Sequence, residues 1–405
     1  MKTLYYKRYQ YLRNSFFIWI VLSMIIVGCK KDDAITNEKN NVYLIDYSFI
    51  TILTKTQVLL TASQYPAIYN LIYTKDLSDI KVYKIKYKTV DVAGEEIFAS
   101  GVVLMPITEN SVPILSYQHG TITNPSEAPS LFFTCMEARG LAAIFASTGY
   151  AISVPDYLGY GESSTYPHPY EHAKTLATAS FDMLMAAKEF FKEMNVSTSD
   201  KLFITGYSEG GNATMALHKY IEENSDLVIT MSAPASGAYN KTAFSKDILQ
   251  KNEDLIYLPN FMWVIDAYNW IYGLNRSWNQ YVNEPDATKL EAVTDPFNLS
   301  NTDISHNPQI LFTSSIIDGV LNNTDTEFLS ALADNDNFDW TPNFPITLYY
   351  STADDYVFPL NSETAYEALS ANGATVTKVV FDGFSHGEAF IPYAIDMFTL
   401  FESLK

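Results

Sequence analysis

Lys201-Leu202-Phe203-Ile204-Thr205-Gly206-Tyr207-Ser208-Glu209-Gly210-Gly211 changes character twice. Lys201 to Thr205 is a short apolar run of the length a buried strand needs, and from about Gly210 to Glu222 the pattern turns helical. The joint between them reads Gly-x-Ser-x-Gly. A serine at the tip of a sharp strand-to-helix turn is held in strained backbone. The flanking glycines let neighbouring chain approach, and the helix N-terminus favours negative charge developing beside it. Ser208 is therefore the candidate nucleophile, and strand-turn-helix is the unit from which the rest of the chain is read.

Working outward, the same alternation recurs. Upstream, Lys81 to Lys88 alternates and Ile97 to Met105 follows the turn signal Ala93-Gly94, which predicts an antiparallel hairpin. Pro113 to Tyr117 and Ala151 to Val154 are short apolar runs with a helical segment, Glu137 to Ser147, between them. Phe181, Leu184, Ala187, Phe191 and Met194 recur at spacings of three and four, so about Ala177 to Met194 is an amphipathic helix. Downstream, Leu227 to Met231, Ile346 to Tyr350 and Thr377 to Phe381 are further strands. The expected class is α/β, a mostly parallel sheet with helices on both faces. Between β-type runs, residues 237–344 break the rhythm and carry Trp263, Trp270, Trp278 and Trp340. A structureless loop of that length is improbable, so the segment reads as an inserted, mainly helical cap, a lid whose aromatic surface would wall an acyl or aryl pocket. It divides the core into residues 42–236 and 345–405.

A serine hydroxyl needs a base in reach and a carboxylate to orient that base. His386, in Gly383-Phe384-Ser385-His386-Gly387, follows the last predicted strand and is the candidate base. His168 and His172 lie in a Pro-rich stretch, His218 on a helix and His306 in the insertion, and each reads as an ordinary histidine. The run after Tyr350 holds two acids. Counting from the strand favours Asp354, and counting back from Pro359 favours Asp355, so Asp354 is the candidate orienting acid with Asp355 the alternative. An oxyanion hole takes one backbone N–H from the residue after the nucleophile, Glu209, and a second from the loop Tyr117-Gln118-His119-Gly120-Thr121, from Thr121 or Gly120. His119 reads as structural in that loop. Asp156, in Pro155-Asp156-Tyr157-Leu158-Gly159-Tyr160-Gly161, reads as part of a structural loop beside the site.

These blocks, with the loops of Asp354 and His386, resemble the serine α/β-hydrolases of the secretory lipase and related bacterial esterase-peptidase group over roughly residues 80–400. The acid loop departs from that pattern, with Ser351 where glycine is common and two adjacent aspartates. The resemblance implies an α/β-hydrolase fold, acyl transfer to water through an acyl-enzyme on Ser208, and no cofactor or metal. It leaves the substrate open between carboxylic esters and peptides, the latter needing an acidic subsite for a free amine that Glu209 and the Asp-rich cap would supply. A third reading is an inactive surface lipoprotein that stacks glycans on the cap aromatics.

The N-terminus stands apart. Residues 1–28 carry Lys2, Lys7, Arg8 and Arg13 with no acid, then an apolar run ending Ile26-Val27-Gly28-Cys29. This resembles the lipobox of bacterial lipoproteins and makes Cys29 the expected lipidated mature N-terminus, hence a membrane partner. Lys30-Lys31-Asp32-Asp33 is similar to a lipoprotein surface-export tail, and residues 29–41 read as a tether. The expected location is the outer membrane. With Cys29 so used, the second cysteine, Cys135, has no disulfide partner and no zinc cluster is available. The chain has 405 residues, 47% hydrophobic and 18% charged, enough for a large packed core. Its 26 basic against 46 acidic residues give −20, which excludes a phosphate-backbone partner. An ester of small-molecule or lipid type is the expected substrate.

Overall fold

The computed structural model describes residues 41–405. Residues 1–28 with the expected export segment, Cys29 and all but the last residue of the expected tether lie outside the described residues. Nine strands make one sheet: β1 (Leu44–Leu53), β2 (Ile80–Val90), β3 (Glu96–Pro106), β4 (Val112–Gln118), β5 (Ala151–Pro155), β6 (Thr198–Tyr207), β7 (Met231–Ala235), β8 (Ile346–Ser351) and β9 (Val376–Phe381). Their order is β1-β2-β3-β5-β4-β6-β7-β8-β9. The first three and the β3–β5 pair run antiparallel, and every pair from β5 through β4 to β9 runs parallel. This is the α/β-hydrolase arrangement expected from the sequence.

The inner strands, β3 to β8, are apolar where they cross the core because the pleat sends successive side chains to opposite, equally dry faces. Leu115, Val102 and Phe203 enter one core with Phe145, Phe398 and Phe401 of the helices Ala143–Ser147 and Phe390–Leu404. Their sequence neighbours Ile114, Val103 and Ile204 enter the opposite core with Phe181, Leu184 and Leu217 of the helices Ala173–Glu193 and Glu209–Asn224. Burying each of these side chains contributes roughly 1.5–3 kcal/mol.

One expected strand is displaced. The run Leu227 to Met231 was the β-rich reading, but β7 begins at Met231 and runs to Ala235. Val228 is exposed, whereas Ser232 to Ala235 are buried. Pro234 obscures the strand in sequence, since it donates no ladder hydrogen bond. The predicted helix Glu137 to Ser147 is a π-helical turn, Ala138–Ala142, running into a short α-helix. The edge strand β1 and the helices Lys55–Ala62 and Pro66–Ile72 have no counterpart in the sequence reading.

Residues 237–344 contain helices at Lys241–Gln250, Leu258–Ile271, Trp278–Tyr281, Asp286–Glu291, Pro308–Leu311, Ser314–Leu321 and Thr326–Ala333. Their apolar faces close on one another around Met262, Trp263, Tyr268, Phe312 and Phe328, with Tyr170 and Tyr356 drawn in from loops on the sheet side. Trp340 differs from the other tryptophans: it packs beside Met215 and Leu348 and edge-on to His218. Among the described residues no helix is long and apolar enough to cross a membrane.

Candidate active site

β6 delivers Ser208 at φ 62°, ψ −123°, a conformation an L-residue holds only when its surroundings force it. The surroundings are glycines. A Cβ on Gly206 would lie 2.4 Å from Gln118 O, one on Gly210 2.1 Å from the same oxygen, and one on Gly211 2.1 Å from Ala235 O. The motif's glycines are thus contact surfaces that let β4, β6 and β7 converge under the serine. The Ser208 N–H donates to Ala235 O at 2.9 Å, and Ser208 itself is buried.

The loop after β9 carries His386 back to that turn. Its Nε2 lies 3.0 Å from Ser208 Oγ, and its Nδ1 lies 2.8 Å from Asp354 Oδ2 and 3.0 Å from Oδ1. A proton on Nδ1 is the arrangement the carboxylate requires, which leaves the Nε2 lone pair to accept from the serine hydroxyl. The loop is pinned from both sides: Tyr207 O–H donates to His386 O at 2.6 Å, and the His386 N–H donates to Asp355 Oδ1 at 3.1 Å. The two aspartates therefore divide the work. Asp354 faces the imidazole and accepts N–H groups from Tyr356 (3.0 Å) and Val357 (2.8 Å), while Asp355 holds the histidine's backbone.

Gly120 and Thr121 also separate. The Gly120 N–H donates to Glu137 Oε1 at 3.1 Å, so it is not free to meet an oxyanion. The Thr121 N–H has no acceptor among the described residues, and neither does the Glu209 N–H at the first position of its helix. Glu137 is anchored in turn by Tyr117, whose O–H donates to Oε2. Burial pushes the Glu137 carboxyl upward, and the hydrogen bond from Tyr117 opposes that. Thr121 Oγ1 lies 2.9 Å from Tyr170 Oη, which lies 3.4 Å from Tyr356 Oη, whose ring meets His386 edge-on. His119 turns both ring nitrogens to backbone carbonyls, Gly120 O and Asp156 O. Asp156 accepts from Ser100 Oγ (2.6 Å) and the Ser130 N–H (2.7 Å), away from His386. Burial raises its carboxyl above the usual range.

Two features escaped the sequence reading. His168 Nδ1 lies 2.6 Å from Leu158 O and so carries a proton, while its Nε2 lies 2.9 Å from Glu209 Oε1. A single proton must then bridge Nε2 and the carboxyl, and both side chains are almost wholly removed from solvent. Glu209, whose N–H is a candidate oxyanion donor, is thereby fixed through its side chain. The pair is separated by 41 positions in sequence, and nothing in the Pro-rich context of His168 signals it. The second feature is Glu171–Lys241, buried at 2.8 Å. The remaining histidines have other partners: His218 Nε2 meets Glu222, His306 Nδ1 meets Leu255 O, and burial lowers His172 to about 4. Among the described residues no group of three or more His, Cys, Asp or Glu side chains could hold a metal.

Ser208 opens onto a cavity. Residues 237–344 wall it with Phe244, Ile248, Phe261, Phe312, Ile316 and Phe328, and Tyr356 and Val357 close it from the acid loop. Apart from Ser208 and Ser245, the charged pair and the Tyr hydroxyls, the lining is hydrocarbon.

Residues 130–390 match the family described as secretory lipase. No curated protein matches the chain. Among solved structures, a protein from Legionella pneumophila described as a hydrolase shares 26% identity at a TM-score of 0.80, covering 89% of this chain and 98% of that one. The rice cell wall degrading esterase LipA from Xanthomonas oryzae aligns at 25% identity and TM-score 0.74, covering 89% and 96%. Candida antarctica lipase A shares the fold at 14% identity and TM-score 0.59, covering 87% and 82%. The strand-turn-helix at Ser208, the sheet around it and the match over most of the core agree: the chain belongs to the secretory lipase family and is an ester hydrolase.

Proposed function

We propose that the enzyme cleaves carboxylic esters in two steps through an acyl-enzyme on Ser208. The observation that carries this reading is the hydrogen-bonded line Asp354–His386–Ser208, at 2.8 and 3.0 Å. His386 Nε2 takes the Ser208 proton as Oγ bonds to the carbonyl carbon, and Asp354 holds the imidazolium that forms. The carbonyl oxygen gains charge between the Glu209 and Thr121 N–H groups. Collapse expels the alcohol, which receives the proton from His386. Water then repeats the sequence and releases the acid. Losing one oxyanion donor would cost about 3 kcal/mol of barrier.

Esters are favoured over peptides with a free amino terminus because each glutamate at the site already faces a basic partner, and Lys241 would repel the charge of an amine. Glu209 is engaged by His168 and Glu171 by Lys241. The hydrocarbon lining suits an acyl chain, with residues 237–344 as its cap and lid. We assign the N-terminal segment to export, with Cys29 as the lipid attachment point to the outer membrane. Metabolic incorporation of labelled fatty acid into wild type and not into Cys29→Ser would be the direct check on that anchor. The catalytic reading is tested by Ser208→Ala, which should fold, lose at least about 10⁴-fold in kcat on p-nitrophenyl esters, and resist labelling by a fluorophosphonate. Wild-type turnover in that variant would end the assignment.

A further inference from the structure

We propose that Lys241 and Glu171 form an oxygen-reading subsite in the acyl pocket, so that the substrates turned over best carry a hydroxyl on the acyl chain near the carbonyl. This rests on the reading of Ser208 as an ester-cleaving nucleophile. Both residues line the cavity that holds Ser208, and both are nearly buried, with 4% and 7% of their side chains exposed. An ammonium has three donors. Lys241 Nζ spends one on Glu171 Oε2 (2.8 Å) and one on Ala238 O (2.7 Å), and the third meets no acceptor among the described residues. Glu171 Oε1 likewise accepts nothing among them.

Stability does not account for the pair. Lys241 is the first residue of its helix, where the helix dipole opposes a cation. Burial pushes the Glu171 carboxyl upward against the pull of Lys241, and the nearby Glu209 adds to the push. A buried ion pair of this kind adds little net stability over an apolar pair of similar size. Nor is it needed to fasten the helix to the core. Asn240 N–H donates to Asn361 Oδ1 at 3.2 Å, and Thr242 donates to Asp336 through its N–H (3.1 Å) and its hydroxyl (2.6 Å).

The free donor and free acceptor define the ligand. A neutral hydroxyl accepts from Lys241 and donates to Glu171. A carboxylate would meet the charge of Glu171, and an ammonium that of Lys241. Position follows from the chain. Tyr170, next to Glu171, touches Thr121 beside the oxyanion donors, and Lys241 starts the helical stripe that continues as Phe244 and Ile248 along the cavity. Ile248 lies about 10 Å further on. The pair therefore stands at the start of that stripe, beside the loop residue Tyr170 that reaches Thr121, and apart from Ser245 and the tyrosine hydroxyls hydrocarbon lines the rest.

The test compares kcat/KM for p-nitrophenyl 3-hydroxyhexanoate and p-nitrophenyl hexanoate, corrected for spontaneous hydrolysis. Wild type should favour the hydroxy ester by about tenfold, the yield of one hydrogen bond to a charged group. The double variant Lys241→Met/Glu171→Leu removes both charges together and should bring the ratio close to one. Should that variant fail to fold, Lys241→Leu/Glu171→Met, which also leaves neither donor nor acceptor, makes the same measurement. A wild-type ratio near one, or a ratio unchanged in the folded double variant while both esters slow together, would overturn the subsite and leave the pair as a fastening. Failure of wild type on both esters would break the ester reading itself.

Discussion

The sheet side of the cavity and the wall supplied by residues 237–344 solve different problems with different materials. On the sheet side the proposed working groups are backbone N–H groups and the side chains of three residues, each residue held by at least one hydrogen bond that involves main chain. Gly206, Gly210 and Gly211 stand where any Cβ would strike a carbonyl oxygen. The opposite wall holds its shape through the volume of Phe244, Phe312 and Phe328, side chains that repack when one is trimmed. Chemistry should therefore be brittle and substrate choice pliable within one pocket. The sharpest way to break that contrast lies inside the acid loop. Asp354→Asn removes the carboxylate that sets the His386 tautomer and should lower kcat by about 10⁴-fold. Asp355→Asn, which disturbs only the loop's backbone anchor, should lose no more than about tenfold. Steady-state kinetics on one ester decides, and equal losses would refute the division of labour between the two acids.

Next in size is the clamp on Glu209. Replacing His168 by Leu removes the hydrogen bond that fixes the Glu209 side chain, and with it the residue whose N–H is proposed to meet the oxyanion. The expected loss is about 10²-fold in kcat with little change in KM, because a displaced donor fails the transition state more than the bound ester. The double variant His168→Gln/Glu209→Gln should recover most of it. Two amides can pair as the imidazole and carboxyl do, so loss without recovery would refute the clamp.

Legibility in the sequence follows the same boundary. Local pattern was enough for the strands buried on both faces, such as β4 and β6, because dry faces demand continuous apolar runs. It was enough to place Ser208 and His386 at strand ends. It failed on β1, whose half-exposed residues carry no clear alternation, and on β7, where Pro234 sits in the ladder. The choice between Gly120 and Thr121 was closed to it because Glu137, 17 positions away, decides whose N–H is spent. His168–Glu209 and Glu171–Lys241 were illegible for a similar reason: each joins elements that only the folded sheet brings together. Asp354 and Asp355 are chemically identical neighbours, and what separates them is the direction each carboxylate faces.

On the wall side, Phe328→Ala should lower kcat/KM for long acyl chains by about tenfold while sparing short ones, since a chain that never reaches the lost ring cannot miss it. A uniform loss across chain lengths would place Phe328 in the fastening of the helices instead.

The smallest effect concerns how this wall sits on the core through His172. Its ring stands edge-on to Tyr272, and the next residue's N–H donates to Asn335 at 2.8 Å. Burial lowers this imidazole from 6.5 to about 4, against the pull of Asp334 and with the push of Lys174. The folded protein thus keeps His172 neutral where the unfolded chain binds a proton. Between pH 6.5 and 4 the unfolded state holds more protons, so stability falls as the pH is lowered through that window and is fully present above it. From pH 7 to 5.5 the loss from this one group is about 1 kcal/mol, or about 1–2 °C in Tm. Other groups titrate over the same range, so the quantity to read is the difference between wild type and His172→Gln in thermal melts at the two pH values. The variant should lose less on acidification. An identical loss would mean that the imidazole is protonated in the folded protein and that the contact with Tyr272 survives its charge.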